Sequence, residues 1–387
     1  MAKTKASSGA ILGIETSCDE TAAAVVTRDG VIRSNIIASQ IDDHSQHGGV
    51  VPEVAARAHL SQIDQVIRRA MDEAELGFDD LCAVAATGGP GLIGGVLVGT
   101  VTAKAIASSC SIDYFAINHL EGHALTARLT ALDPDALDSG FLDQGGIDQG
   151  GIAYPYLLLL VSGGHTQLLA VAGPGSYRRY GTTMDDAAGE AFDKSAKILG
   201  LGLPGGPKLE ALAKNGDAKA YDLPRPLMHK PGCHFSFSGL KTAVLTSYQQ
   251  DIAPHENGDR NTDQQKADLA ASLQLAVAES LVSRSCNAMR QFKTDYPDIT
   301  SPAFVVAGGV AANRLIRQSL EDLAATEGFG FNAPPVGLCT DNAVMIAWAA
   351  AERMAAGLPS DDLDFAPRPR WPLDPDASPP PGRSVRR

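Results

Sequence analysis

The sequence predicts an α/β protein of two duplicated lobes with a cleft between them. Three observations carry that expectation. The chain has 387 residues, enough for two domains with a core each. Two segments share one pattern: AILGIETSCDETAAAVV (10–26) and YLLLLVSGGHTQLLAVA (156–172) each read as apolar strand, turn of small or polar residues, apolar strand. VIRSNIIAS (31–39) adds a third strand to the first, and YRRYG follows the second. Each half then carries an apolar strand that runs into a glycine-rich turn and a helix, CAVAATGGPGLIGGVLVGTVTAKAIA (82–107) and AFVVAGGVAANRLIRQSLEDLA (303–324). Two unrelated α/β domains fit the same pattern, and pattern alone leaves both open.

Composition narrows the function classes. Acidic residues outnumber basic ones 45 to 32, a formal charge of −13, which argues against binding a polyanion over a broad surface. Any nucleic-acid contact then needs a local basic patch or a partner protein. Cys18, Cys82, Cys110, Cys233, Cys286 and Cys339 are scattered without a CxxC pair, so neither a thiolate zinc site nor a disulfide framework is indicated. The start, MAKTKASSGA, lacks a signal-peptide apolar core, and the most apolar run, YLLLLV (156–161), is too short to span a bilayer. A soluble cytoplasmic protein with no membrane partner is expected. Residues 132–152, with the tandem DQGGI repeat, read as a flexible surface insert. Residues 367–387 read as a Pro-rich tail that passes from order to disorder.

Several stretches hold residue types that suit chemistry. LVSGGHT (160–166) places Ser162, Gly163 and Gly164 directly after a buried strand, where glycines let backbone N–H groups approach an anion; an ordinary hairpin turn reads the same way. ETSCDET (15–21) carries three acids and suits a metal-bridged or catalytic role, or a solvated turn. TGGPGLIGG (87–95) and AGGVAANR (307–314) each follow a strand and open a helix, a place for phosphate or sugar, with Asn313 and Arg314 able to bond ribose or base. Neither matches a P-loop or a full dinucleotide fingerprint. In DDAAGEAFDKSAKILGLGLPGGPKLEALA (185–213), Asp193 and Lys194 fall on a helix whose apolar positions include Phe192, Ala196 and Leu199; PGGP (204–207) ends it and starts a second helix holding Glu210. Taken alone, Asp193 and Lys194 read as a solvated face.

NHLEGHALTA (118–127) is the sharpest signal. His119 and His123 are four apart, so on a helix both imidazoles project from one face. A zinc-peptidase HExxH motif puts its Glu directly after the first His. Glu121 is instead two residues on, about 200° around the helix, which turns it away from a metal held by the pair. Asp341, at a strand-to-helix junction in GLCTDNAVMIAWAA (337–350) with Thr340 as N-cap, is a candidate third ligand. Two His and one carboxylate suit Fe(II) or Zn(II) with open positions; an unligated His pair is the alternative.

The ordered set GIETSCDETAAAVV, SQIDDHSQHGGVVPEVAARAHL, ATGGPGLIGGVLVG, NHLEGHALTARL, LLVSGGHTQL, DDAAGEAFDKSAKILGLGLPGGP, FSFSGLKTAV, AGGVAANRLIR and LCTDNAVMIAWA resembles the TsaD/Gcp (YgjD) family, bacterial branch. The likeness runs from about residue 10 to about 371, except the 132–152 insert and a stretch near 251–264. It implies an actin/hexokinase/Hsp70-like (ASKHA) fold: a first lobe over 10–131 completed by a C-terminal helix near 340–358, and a second lobe over 153–339. The implied activity is transfer of threonylcarbamoyl from threonylcarbamoyl-adenylate to N6 of the adenosine 3′ of the anticodon, in tRNAs reading codons that begin with A, with AMP released. By matching motif, His119, His123 and Asp341 hold a divalent metal, Fe(II) in the family's usual description, with Zn(II) or Mg(II) as alternatives. Leu160, Val161, Ser162, Gly163 and Gly164 cradle the acyl-phosphate end, Asp193 and Gly206 line the nucleotide pocket, Glu210 lies beside the ribose, and Asn313 contacts the adenosine. Glu15 and Asp19 are candidates for a base toward the amine. The implied partners are tRNA, TsaB and the ATPase TsaE, with a basic patch at Arg57, Arg68, Arg69, Arg178 and Arg179. A metallopeptidase, the family's older label, and an ASKHA-type kinase or ATPase are the competing readings.

Overall fold

The computed structural model describes residues 9–40, 50–129, 152–255 and 262–380. The DQGGI repeat up to Gly151 and the tail beyond residue 380 lie outside them. In chain order come β1 (Ala10–Glu15), β2 (Glu20–Thr27), β3 (Ile32–Ser39), α1 (Pro52–Glu73), β4 (Leu81–Gly89), α2 (Ile93–Cys110), β5 (Asp113–Asn118) and α3 (His119–Thr126). Next come β6 (Tyr156–Val161), β7 (Thr166–Gly173), β8 (Ser176–Thr182), α4 (Ala188–Ile198), α5 (Gly205–Ala213), α6 (Ser238–Ser247) and α7 (Thr262–Asp295). The last are β9 (Ala303–Ala307), α8 (Arg314–Glu327), β10 (Gly330–Asn332), α9 (Val336–Cys339) and α10 (Val344–Ala355). The chain divides into two compact units. One falls within Met1–Ile152, Gly173–Ser176 and Asp341–Pro375; the other within Ala153–Ala172, Tyr177–Thr340 and Asp376–Arg387.

The two sheets repeat one topology. The first unit has strand order β3-β2-β1-β4-β5 and the second β8-β7-β6-β9-β10, read in the same sense. In each, the first strand pairs antiparallel with the second and parallel with the fourth. The internal likeness seen in the sequence is thus a repeated five-stranded plan. Its central strands are mainly apolar because both faces are covered: all six residues of YLLLLV are buried, and each such Leu contributes about 1.5–3 kcal/mol.

In the first unit, strand alternation decides which helix each residue meets. Ala10, Leu12 and Ile14 join a core with Ile63, Val66, Ile67 and Ala70 of α1 and Ala103 and Ala107 of α2. Gly13, on the other face, meets α10: a Cβ there would lie 2.3 Å from the Ala343 carbonyl oxygen. Only a glycine lets the start of α10 come so close to the sheet. Helix α2 is apolar and long enough to cross a membrane by length and composition; here Val96, Gly99, Thr100, Ala103 and Ala107 are buried, while Ile93, Leu97 and Val101 remain exposed.

The Pro-rich tail begins anchored. Through residue 375 it belongs to the first unit. The Arg368 N–H donates to the Gly88 carbonyl at 2.7 Å, Asn118 Nδ2 donates to the Trp371 carbonyl at 2.9 Å, and the Arg368 guanidinium stacks over the Phe365 and Trp371 rings. Proline removes the donors that regular structure needs, but carbonyls and aromatic faces still anchor the segment.

Candidate active site

Strand β5 delivers the histidines. Asn118, its last residue, caps α3 by accepting the Leu120 N–H at 2.9 Å, so His119 opens the helix and His123 follows one turn later. The ring centroids lie 4.8 Å apart, edge to face. Asp341 comes from the other end of the unit's sequence: its Oδ1 lies 3.0 Å from His123 Nε2 and 3.5 Å from His119 Nε2. Asn342, rather than Thr340, caps the helix beyond by accepting the Met345 N–H at 3.0 Å; it lies three residues before that amide, the reach a cap requires. Helix α3 is fastened to α10 by Trp348 Nε1 on the Leu125 carbonyl at 3.1 Å and by Arg353 on Glu121.

The donor set fits a divalent cation. Two imidazole nitrogens and a carboxylate oxygen lie within 4.8 Å of one another, a donor set of the kind that suits Fe(II) or Zn(II). Neighbouring acids add negative potential. Burial, then Asp341 and Asp19, push the Glu20 carboxyl up to about 9. Burial opposes charge on His119, yet Asp341 and Glu15 push it up to about 9. A cation relieves this crowding of acids.

Glu121 has another task. It is 1% exposed, accepts Arg353 Nη2 at 2.5 Å and Nε at 3.1 Å on Oε2, and accepts the Gly175 N–H at 2.9 Å on Oε1. Both oxygens are committed, so no base sits there for a metal-bound water.

Of the two base candidates, Glu15 is also committed. Its carboxylate, at the end of β1, accepts the Ser17 N–H at 2.5 Å and the Thr87 hydroxyl, and lies 3.0 Å from His119 Nδ1. Burial raises the Glu15 carboxyl, but the charge and hydrogen bond of His119 outweigh it and hold the group below the usual carboxylate range. Asp19 stays half-buried in the turn. That turn is held from behind by His59 of α1, whose ring nitrogens meet Thr21 Oγ1 at 2.8 Å and the Cys18 carbonyl at 3.1 Å. The contact between Glu15 and His119 spans 104 residues, and only the acid content of ETSCDET hinted at it.

In the second unit the expected nucleotide residues close into a ring of contacts. Leu160 and Val161 are buried, leaving only their backbone to a ligand. The Ser162 carbonyl accepts the Gly189 N–H of α4 at 3.2 Å. One turn along α4, Asp193 accepts the Gly205 N–H at 2.9 Å, beside Gly206. Glu210 of α5 accepts the Arg314 N–H at 3.0 Å. Asn313 caps α8 by accepting the Ile316 N–H at 3.1 Å, and its Nδ2 donates to Gln274 at 2.9 Å. The ring shuts at Gly308, whose φ of +99° lets its backbone press on Val161: a Cβ there would lie 2.4 Å from that carbonyl. Gly163 and Gly164 are exposed with open space beside them. Asn313 therefore serves first as a helix cap, and the glycines of AGGVAANR lead into a 3₁₀ turn, Gly309–Ala312, before α8 begins.

The five arginines do not all stand free. Arg57, Arg68 and Arg69 are exposed along α1 in the first unit, with Arg57 bound to Glu53 at 2.7 Å. Arg178 and Arg179, on β8 in the second unit, bind Asp295 at 3.0 Å and the Ser378 carbonyl at 2.6 Å.

A model of the family described as TsaD, tRNA N6-adenosine threonylcarbamoyltransferase, matches residues 31–138 and 139–348. The tRNA N6-adenosine threonylcarbamoyltransferases of Brucella suis (strain ATCC 23445 / NCTC 10510) and Brucella anthropi are each 53% identical over 373 residues, covering 95% of this chain and 96% of theirs. This chain belongs to the TsaD family. The TsaD activity is transfer of a threonylcarbamoyl group to N6 of adenosine in tRNA, so the chain is a transferase with tRNA as substrate. Among solved structures, HypF of T. kodakarensis (14% identity, TM-score 0.52, 92% of this chain and 49% of that one) and full-length HypF in a phosphate- and nucleotide-bound form (12%, 0.52, 90% and 46%) share the fold alone. The duplicated TsaD lobes are of the actin/hexokinase/Hsp70-like kind.

Proposed function

We propose that the enzyme takes threonylcarbamoyl from threonylcarbamoyl-adenylate and places it on the adenosine 3′ of the anticodon in tRNAs reading codons that begin with A, releasing AMP. The observation that carries this reading over a peptidase is the pairing of a His119–His123–Asp341 cluster with a Glu121 that Arg353 occupies. Such a centre can hold an ion without supplying a hydrolytic base.

The three residues would hold a divalent metal, with Fe(II) the expected ion and Zn(II) or Mg(II) the alternatives. When bound, that ion supplies charge neutralisation and polarisation of substrate oxygens. The acyl-adenylate is already activated, so the chain needs no nucleophile of its own; its task is positioning. Ser162, Gly163 and Gly164 offer a small-residue turn for the acyl-phosphate end, and Asp193, Gly206, Glu210 and Asn313 edge the nucleotide. The contact ring around these residues supports that assignment because it fixes their backbones before ligand arrives. Asp19 is the remaining base candidate for the amine.

The charge of −13 supports assisted tRNA binding, with TsaB and TsaE as the partners and the cytoplasm as the setting. A protein partner has an apolar face to meet. Leu60 of α1 and Ile93, Leu97 and Val101 of α2 are exposed, and the helices touch where Gly94 meets Ala56. The test combines the purified chain with TsaB, TsaE, threonylcarbamoyl-adenylate and unmodified tRNA. N6-threonylcarbamoyladenosine is the expected product. Metal-dependent peptide cleavage or small-molecule phosphorylation in its place would overturn the reading.

A further inference from the structure

The geometry points to Glu15 as a positioning residue that holds His119 in the one orientation and tautomer a metal can use, an inference that rests on the metal reading above. The two imidazoles are not equivalent. His119 Nδ1 lies 3.0 Å from Glu15 Oε2, with Ser17 Oγ 3.2 Å from the same nitrogen. His123 Nδ1 is buried and has no hydrogen-bond partner among the described residues. Only His119 therefore has a carboxylate behind it.

The carboxylate is itself fixed. Glu15 is 1% exposed, and besides His119 it accepts the Ser17 N–H and the Thr87 hydroxyl. The Ser17 N–H and Thr87 come from the turn after β1 and from β4, two pieces of the sheet, so the acceptor cannot swing away. A carboxylate that meets Nδ1 requires the hydrogen on that nitrogen, so Nε2 is the nitrogen left to give up its proton to a metal. That nitrogen faces Asp341 Oδ1, 3.5 Å away, beside His123 Nε2. A carboxylate behind a ligating histidine also raises the ring's basicity, and losing such a partner costs about 10–100-fold in metal affinity. In this role Glu15 acts through His119.

The test uses the full chain loaded with Zn(II), alongside Glu15→Gln, which keeps shape and removes charge, and Glu15→Asp, which keeps charge and draws it back from the ring. Zn(II) affinity is read by chelator competition, and the imidazole N–H protons by NMR. The expected result is about 10–100-fold weaker binding in Glu15→Gln and a smaller loss in Glu15→Asp. Of the two ligand-ring N–H resonances, only the one assigned to His119 should move upfield and exchange faster. Wild-type affinity and an unmoved His119 resonance in both variants overturn the positioning role alone. A wild-type chain that takes up no Zn(II), Fe(II) or Co(II) overturns the metal reading and this inference with it.

Discussion

Arg353 donates twice to one oxygen of Glu121, from Nη2 at 2.5 Å and from Nε at 3.1 Å, and thereby locks the acid of the His-x-Glu-x-His segment into the fold. The pair is nearly sealed, with side-chain exposures of 14% and 1%. Removing one partner leaves the other charged and buried. Glu121→Ala should therefore lower unfolding stability by about 3–5 kcal/mol. In urea titrations the midpoint should fall with an unchanged slope. A change within a few tenths of a kcal/mol would show that the pair does not bear on stability.

The two histidines of the proposed metal site should separate in the same assay. His119→Ala and His123→Ala each remove a proposed ligand, so both should lose Zn(II) uptake. His119→Ala also takes a donor from the buried Glu15 carboxylate and should be less stable than His123→Ala by about 1–3 kcal/mol. Equal melting curves for the metal-free variants would contradict that ranking.

Gly13→Ala tests how the sheet places Asp341. The added Cβ would meet the Ala343 carbonyl at 2.3 Å and the Ala347 nitrogen at 2.8 Å, both backbone atoms, so α10 must shift. Overpacking of this kind costs about 1–3 kcal/mol. Because Asp341 lies two residues before Ala343, metal affinity should fall as well. Chelator competition and thermal melting read the two effects, and unchanged affinity would mean that Asp341 is placed independently of the sheet.

Asp185 predicts an acid limb. Burial works to raise its carboxyl, but the Ser236 hydroxyl, the Phe237 N–H and both donors of Ser238 outweigh it and hold it below the usual carboxylate range. A folded value below the unfolded one means that Asp185 contributes stability above the unfolded value, near 3.9. That contribution disappears as pH falls through the depressed folded value. Asp185→Asn should melt lower at pH 7. Below about pH 4 its stability should fall less steeply, by at most about 1.4 kcal/mol per pH unit, one proton's worth. Parallel acid limbs would remove Asp185 as the cause.

What could be read from the chain follows from the range of each interaction. The apolar runs around Ile11–Ile14 and Leu157–Val161 mark buried strands, because the hydrophobic pattern is local. The spacing of His119 and His123 puts both rings on one helical face, and its phase sets Glu121 apart, where Arg353 holds it. Asp341 needed family likeness, since nothing local ties it to a helix 218 residues earlier. The tasks of Glu15, Arg353 and Asn313 were hidden for the same reason: each is settled by a partner from a distant segment or by a cap competing with ligand contact. The tail's anchors were hidden as well, because proline content reports the lack of regular structure, and anchoring here needs none.

That tail supplies the last prediction. Gly88–Gly91 lies beneath it: the Gly88 carbonyl accepts Arg368, and the Gly91 N–H donates to the Pro369 carbonyl at 3.3 Å. The next residue, Leu92, donates to the Ser17 carbonyl at 2.7 Å, and Ser17 in turn bonds Glu15 and meets His119. The segment thus braces the turn beside the proposed metal site through two intermediates. A chain ending after Asp364 should lose stability and bind Zn(II) more weakly than the full chain, whereas one ending after Pro375 keeps every one of these contacts and should match it. If both truncations bind Zn(II) alike, the glycine loop and Ser17 hold their places without the strap, and the segment serves the first unit only as cover.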